Sequence, residues 1–392
     1  MAYSGKELNE KVDSLTNKQV LPVEFEVRTA ADLTRLREYW SALESIPRLL
    51  VARTAGEDNS FLNLDIRTLL RGEESAGRHA AHSIVLQAGV GLPPHGLQSG
   101  NATWFVIRGE VEVTIGALTR KLKAPACAYA PEHSTQVIAN RSGACAEVCV
   151  IHSPAGADRA FAAAHKRWLK DRSDAAVEDI WAEFAPYGFI LTGGKALAND
   201  GRTNAVAERI ACNVECFEDF TALRDRWRRL APIPKIVEFP RESPNLVPFE
   251  GSETRLMISP EESRSHASAF FCAINKGLGA PPHHQISEDE FFLIVSGALR
   301  LRVGNALVEA AQSGAFAYAP RNTTHTFAGE ADYETIFYTM NSPGGHDRGF
   351  EAGTREAASF DQPRFRELME AHGFTFHQEF ATDELLKIPP PS

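Results

Sequence analysis

The segment 281-PPHHQISEDEFFLIVSG-297 places two histidines, a glutamine and three acids directly before an apolar strand. Residues two apart in a strand share a face, so His283 and Gln285 can point to the same side. Glu290 begins the next strand, and His325 begins a later one after the turn 320-PRNTT-324. The pattern predicts that three or four of these side chains converge inside one β-structure as metal ligands.

The same outline occurs earlier in the chain, which indicates an internal duplication. The helical segment 31-ADLTRLREYWSALESIP-47 recurs as 218-EDFTALRDRWRRLAPIP-234. In the same way, the segment 93-PPHGLQSGNATWFVIRG-109 has the outline of the segment 281–297 quoted above. A chain of 392 residues has room for two domains of about 190 residues each. The predicted organisation is an arm at 1–29, a first half at 30–190, a connecting segment at 191–216, a second half at 217–377 and a tail at 378–392.

Short apolar segments fill the space between the helices of each half. Most are rich in β-branched or aromatic residues, and Gly or Pro bounds most of them at roughly ten-residue spacing. Such a pattern is typical of small β-barrels and jelly rolls. The predicted fold is therefore mainly β, with two tandem jelly-roll barrels and flanking helices.

Composition and charge exclude several classes of function. The chain is 43% hydrophobic and 23% charged, as soluble globular proteins are, and its net charge of −10 opposes binding to nucleic acid or to anionic membranes. It contains no apolar run long enough to span a bilayer, and its first residues lack the apolar core of a signal peptide. The six cysteines form no CxxC pair, so we expect reduced thiols in a cytoplasmic protein.

The spacing of the polar residues resembles a known motif. Pro-Pro-His283-x-Gln285-x4-Glu290-x6-Gly297, followed by His325, resembles the metal motifs of the cupin superfamily, where His-x-His-x4-Glu-x6-Gly precedes a distant His. Because both halves carry the outline, the chain is similar to the bicupins grouped around quercetin 2,3-dioxygenases. The resemblance implies one divalent transition metal, with Fe(II) favoured over Mn, Ni, Cu or Zn. It also implies a dioxygenase that uses O2 on a small aromatic or enolisable substrate.

Gln285 departs from this motif, because it stands where the family has its second histidine. A carboxamide oxygen is a weaker ligand than imidazole for a late transition metal. The remaining His283, Glu290 and His325 have the composition of the facial triad of non-haem Fe(II) oxygenases. Gln285 either completes the metal shell or hydrogen-bonds a bound water or substrate, and Glu290 would accept a substrate proton if it detaches. Gln285 and Glu290 are therefore the predicted catalytic residues.

The first half has the outline without the ligands. His95 aligns with His283, whereas Leu97, Ala102 and Gln136 take the other three ligand positions. One ligand cannot hold a metal, so the first half is predicted to be a degenerate barrel without a site.

Three residues beside the motif are predicted to lie outside the site. His284 is expected to point outward, and Glu288 and Asp289 are expected to form an acidic turn on the surface.

Two other functions use the same fold: an oxygen-independent isomerase, cyclase or lyase in which the metal is a Lewis acid, and a non-catalytic bicupin that binds a small molecule. A monomer and a homodimer are both compatible with the tandem repeat.

Overall fold

The computed structural model describes residues 24–171, 176–248, 250–356 and 363–377. The predicted tail and most of the predicted N-terminal arm lie outside these residues. The helices of the described part are α1 (Ala30–Ser41), α2 (Ala157–Asp171), α3 (Val177–Ala182), α4 (Phe217–Trp227), α5 (Pro260–Ser263), α6 (His346–Glu356) and α7 (Pro363–Ala371). Short 3-10 helices lie at Arg53–Ala55, Ala185–Tyr187, Asp200–Arg202 and Pro240–Glu242.

The strands of the two halves follow one another in the same order. The first half contains β1 (Arg48–Leu50), β2 (Glu57–Asp58), β3 (Leu64–Leu70), β4 (Ala80–Leu86), β5 (His95–Leu97), β6 (Asn101–Arg108), β7 (Glu110–Ile115), β8 (Leu118–Lys123), β9 (Ala126–Ala130), β10 (Gln136–Ala139), β11 (Ala146–Ser153) and β12 (Phe189–Leu191). The second half contains β13 (Lys235–Val237), β14 (Ser252–Ile258), β15 (Ser268–Ile274), β16 (Gly279–Gln285), β17 (Asp289–Ser296), β18 (Ala298–Val303), β19 (Ala306–Gln312), β20 (Phe316–Ala319), β21 (His325–Gly329), β22 (Thr335–Ser342) and β23 (Phe374–Phe376).

Each half is a sandwich of two antiparallel sheets, so the predicted mainly β class with flanking helices is confirmed. In the first half a sheet of order β13-β9-β6-β11-β4-β3-β2 faces a sheet of order β12-β5-β10-β7-β8. In the second half the corresponding orders are β1-β20-β17-β22-β15-β14 and β19-β18-β21-β16-β23. Alternate residues of both sheets fill the interior of each sandwich, as the pleat of a strand requires.

The two halves exchange one strand each. Strand β1, from the first half, pairs antiparallel with β20 of the second half, so that Arg48 lies opposite Tyr318. Strand β13, from the second half, pairs in the same way with β9, so that Lys235 lies opposite Tyr129. Both exchanged strands follow the repeated helix and its Ile-Pro turn, which carries the chain across to the neighbouring sandwich.

A shared core lies where the large sheets of the two halves meet. Its apolar side chains come from both halves, and Phe105 of the first half packs against Tyr338 of the second with ring centroids 4.9 Å apart. The Tyr338 hydroxyl donates to the carbonyl oxygen of Val106 at 3.0 Å, so this buried polar group is satisfied across the interface.

No helix in the described part of the chain is long and apolar enough to cross a bilayer.

Candidate metal centre

His283, Glu290 and His325, here called the triad, come from both sheets of the second sandwich. His283 on β16 and His325 on β21 are direct partners in the ladder, with ring centroids 4.4 Å apart. Glu290, on β17 of the opposite sheet, faces them across the interior. One ligand atom of each residue lies within 4.8 Å of those of the other two, and all three side chains are buried. The strand geometry therefore brings these three predicted ligands together.

Backbone carbonyls fix a proton on Nδ1 of both imidazoles. His283 donates from Nδ1 to the carbonyl oxygen of Pro281 at 2.8 Å, and His325 donates from Nδ1 to that of Thr323 at 2.9 Å. The Nε2 atoms are then the nitrogens left to accept a proton or a cation, which is how ligand histidines are usually fixed. His325 Nε2 lies 2.9 Å from Oε2 of Glu290.

The electrostatics of the triad suit a divalent cation. Burial, aided by the neighbouring His325, lowers the pKa of His283 to about 3, so its imidazole is neutral. Burial alone would raise the pKa of Glu290, but the hydrogen bond and charge of His325 outweigh it and lower that pKa to about 2. A neutral imidazole beside an ionised carboxylate is the donor chemistry that transition metals accept. The residues present therefore fit the metal that the motif implies.

Gln285 faces the triad rather than the solvent. Its Nε2 donates to Oε2 of Glu290 at 2.6 Å, and the side chain is buried. The amide thus shares one carboxylate oxygen with His325, and its own Oε1 remains available for a cation or a bound molecule. Both predicted roles of Gln285 are compatible with this position.

Replacing Gln285 by His is expected to tighten metal binding and to lower turnover. A fourth strong ligand would raise the affinity by on the order of tenfold and would occupy a position that substrate needs. The measurement is metal affinity by competition with a chromogenic chelator, together with turnover. Leu97→His is the matched control, because Leu97 holds the same ladder position in the half without a triad. An unchanged affinity in Gln285→His would contradict a role for this position in the shell.

A cavity of about 160 Å³ adjoins the triad. His283 and Glu290 of the triad line it, and the other polar side chains of its wall are Glu250, Ser252, Thr254, Cys272, Thr339 and His346. Aromatic rings from both sheets and from helices α6 and α7 form much of the remaining wall: Phe327, Phe337, Phe350, Phe365, Phe374 and Phe376. A pocket of this kind binds a small apolar molecule and orients it through few polar contacts.

Two buried residues near the triad were not predicted from the sequence. Asn341 lies opposite Glu290 in the β17–β22 ladder, and neither atom of its amide has a hydrogen-bond partner among the described residues. His346, the first residue of α6, lines the cavity together with His283. A buried amide without partners is costly unless water or another group satisfies it, so we expect a bound water at Asn341, which does not line the cavity.

The acidic residues before Glu290 are buried, so the prediction of a surface turn was wrong. Glu288 is 1% exposed and pairs with Arg224, while Asp289 is 0% exposed and pairs with Arg78 and Arg321. Arginines distant in sequence compensate both charges, and burial of a paired carboxylate costs far less than burial of a lone one. Neither acid belongs to the triad.

His284 lies outside the triad, as predicted. Its side chain is half-buried, and its Nδ1 lies 3.0 Å from Nε2 of His377.

The first half lacks the triad but keeps its geometry. Gln136 lies opposite His95 in the β5–β10 ladder, as His325 lies opposite His283. The Gln136 amide oxygen accepts from Trp104 Nε1 at 2.7 Å, so an indole occupies part of the space of the missing ligands. Within residues 24–171, 176–248, 250–356 and 363–377, the triad is the one group of three or more His, Cys, Asp or Glu residues whose ligand atoms converge.

Comparisons with known proteins give only distant likenesses. No family model matches the chain, and no curated protein matches it. The solved structure of oxalate decarboxylase from Bacillus subtilis aligns with a TM-score of 0.46 and 12% identity, covering 74% of this chain and 75% of that chain. The protein Ylba from E. coli aligns with a TM-score of 0.48 and 12% identity, covering 78% of this chain and 96% of that chain. At this level of similarity, neither protein's activity transfers to the chain.

Proposed function

We propose that the chain is a metal-dependent enzyme of the bicupin type, with one divalent transition metal held by His283, Glu290 and His325. The observation that carries the proposal is the convergence of these three side chains beside an aromatic cavity, which His283 and Glu290 line. Two imidazoles and one carboxylate favour Fe(II), and the reaction proposed is dioxygenation. The metal belongs to the second half, residues 217–377.

The cavity limits the size of the substrate. An apolar cavity of roughly 150 Å³ accommodates one benzene ring, and the partly open cavity beside the triad measures about 160 Å³. A single-ring catechol or a small 1,3-diketone fits that space, whereas the three rings of a flavonol would extend out of it. The substrate class is therefore a small aromatic or enolisable molecule.

The chain's own residues bind, orient and shield the substrate. The phenylalanine rings pack against its apolar part and exclude water from the triad. Gln285 holds one oxygen of Glu290 in place. When bound, a metal at the triad supplies a Lewis acid and, if it is iron, a redox-active centre for chemistry with O2.

Metal content and oxygen consumption test the proposal together. Protein purified without chelators should hold about one transition-metal ion per chain, since one triad can bind one ion. Loaded with Fe(II), it should consume O2 in an oxygen electrode with catechol or pentane-2,4-dione, and uptake should be slower with quercetin, whose three rings would extend out of the cavity.

The outcomes separate the competing functions. Product formation at full rate under argon would assign the triad to Lewis-acid isomerase or lyase chemistry instead. A metal content near two ions per chain would contradict the assignment of the site to the second half alone. Metal binding without turnover of any small aromatic or enolisable compound would favour a binding protein.

A further inference from the structure

His346 occupies the aromatic cavity without belonging to the triad. It is the first residue of α6, it is 3% exposed, and it lines the same space as His283 and Glu290. The ring of Phe374 packs edge-on against its imidazole, with centroids 4.1 Å apart. Packing of this kind fixes the orientation of the imidazole within the cavity wall.

A buried carboxylate holds one nitrogen of this imidazole. Glu288 Oε2 lies 3.3 Å from Nδ1 of His346, while Oε1 of Glu288 forms a close ion pair with Arg224. Arg224 and Glu288 are 4% and 1% exposed, so the pair is shielded from water. The ionised carboxylate favours the tautomer with a proton on Nδ1, which leaves the lone pair on Nε2. Nε2 has no hydrogen bond to the described residues, so it is available to a molecule in the cavity.

The first half shows that this arrangement is not required by the fold. Arg37 corresponds to Arg224, and each donates from Nε to a carbonyl oxygen of the turn before the following helix, at 2.7 and 3.2 Å. The ladders align Ser153 with Ser342, which places Ala157 at the position of His346. By the same register Gly100 stands where the second half has Glu288. At these corresponding positions, the carboxylate and the imidazole therefore occur in the half that has the triad and not in the other half.

We propose that His346 is the proton acceptor for a substrate bound in the aromatic cavity, an inference that rests on the proposed function. The substrate O–H or acidic C–H bond breaks, and its electron pair stays on the substrate. The proton forms an N–H bond on Nε2, and Glu288 stabilises the resulting imidazolium through Nδ1–H.

The proposal also narrows the substrate class. A molecule that needs this base carries at least one weakly acidic proton, as a catechol or a 1,3-diketone does, and enters the cavity before losing it. His346 is the catalytic residue in this assignment. Glu288 and Arg224 are positioning residues, because they act through the imidazole and do not line the cavity.

A chromogenic catechol tests the inference without turnover. The full-length chain, loaded with redox-inert Zn²⁺, is titrated under argon with 4-nitrocatechol, whose absorption band shifts with each ionisation. We expect the wild type to bind the doubly ionised probe at a pH where the free probe keeps one proton. In His346→Gln the doubly ionised fraction should fall at least about tenfold, the change that a one-unit shift in the probe's pKa produces. Glu288→Gln should give an intermediate fraction, because it keeps an acceptor for Nδ1–H but loses the charge.

His372→Gln is the matched control, since His372 is also buried but donates from Nδ1 to the carbonyl oxygen of Leu368 at 2.7 Å and does not line the cavity. It should behave as wild type. His346→Phe is a second variant in case the glutamine disturbs folding. The test needs only one of these two variants to be folded and to hold metal.

The inference is overturned if folded, metal-replete His346→Gln or His346→Phe binds the doubly ionised probe as the wild type does. It is equally overturned if metal-replete wild type leaves the probe protonated or does not bind it. Wild-type protein that takes up no Zn²⁺ would refute the proposed metal centre before any probe is added, so the two failures are distinguishable.

Discussion

Replacement of His325 by Ala should remove the metal from the protein and abolish any turnover. His325 is fully buried, its Nδ1 is tethered to a carbonyl, and its Nε2 lies within the triad. Its loss leaves one imidazole and one carboxylate, and we expect metal affinity to fall by at least about 100-fold, beyond the usual effect of changing an outer-shell partner. Metal content after dialysis, measured by atomic emission, checks the result.

His284→Ala provides the matched control for this prediction. His284 is adjacent to the triad residue His283 in the chain, but its Nδ1 faces His377 outside the triad. The control variant should keep its full metal content. If His325→Ala retained metal at the wild-type ratio, the assigned centre would be wrong.

The second large effect concerns stability rather than chemistry. Asp289→Ala is expected to destabilise the protein by about 3–5 kcal/mol, the usual cost of breaking a buried ion pair by removing one partner. Asp289 accepts from Arg78 Nε at 2.5 Å and from Arg321 Nε at 3.1 Å, and it lies 3.0 Å from Nε2 of His79. Burial alone would raise the pKa of Asp289, but these partners hold it well below its usual range.

This network joins the two halves, because Arg78 and His79 belong to the first and Asp289 to the second. Glu132→Ala is the matched control: Glu132 also forms an ion pair across the halves, at 3.0 Å from Arg264, but both side chains are about one-third exposed. A pair this exposed contributes at most about 1 kcal/mol. Urea unfolding of both variants measures the difference. Equal unfolding midpoints would show that the buried ion pairs of Asp289 stabilise the protein no more than the exposed pair of Glu132.

The sequence predicted the parts of the site that local spacing determines. His283 and Gln285 share a strand face, and the motif spacing predicted that Glu290 and His325 converge with them. The tandem outline also predicted which positions of the first half correspond to the ligands, and the ladder partners His95 and Gln136 agree with that alignment. Periodicity is a short-range signal and suffices for the shared face of His283 and Gln285. The convergence of Glu290 and His325 from other strands was predicted with the help of the motif resemblance.

What the sequence did not predict depends on contacts between distant segments. Glu288 and Asp289 look like a surface turn until Arg224 and Arg78, both far away in the chain, are placed beside them. His346 follows a Ser-Pro-Gly-Gly turn and carries no motif of its own. The exchanged strands are only three residues long, too short for a period to reveal which sheet they join.

The exchange of β1 and β13 bears on the history of the duplicated chain. A shortened gene encoding only residues 217–377 would lose Arg48–Leu50 and leave Phe316–Ala319 as an open edge, with apolar residues of the shared core uncovered. The first half can thus lose its ligands, as Leu97, Ala102 and Gln136 suggest, without becoming dispensable. We therefore expect selection to retain the first half as a structural partner of the half that carries the triad. Substitutions would be tolerated in its interior but not along the edge that the two halves share.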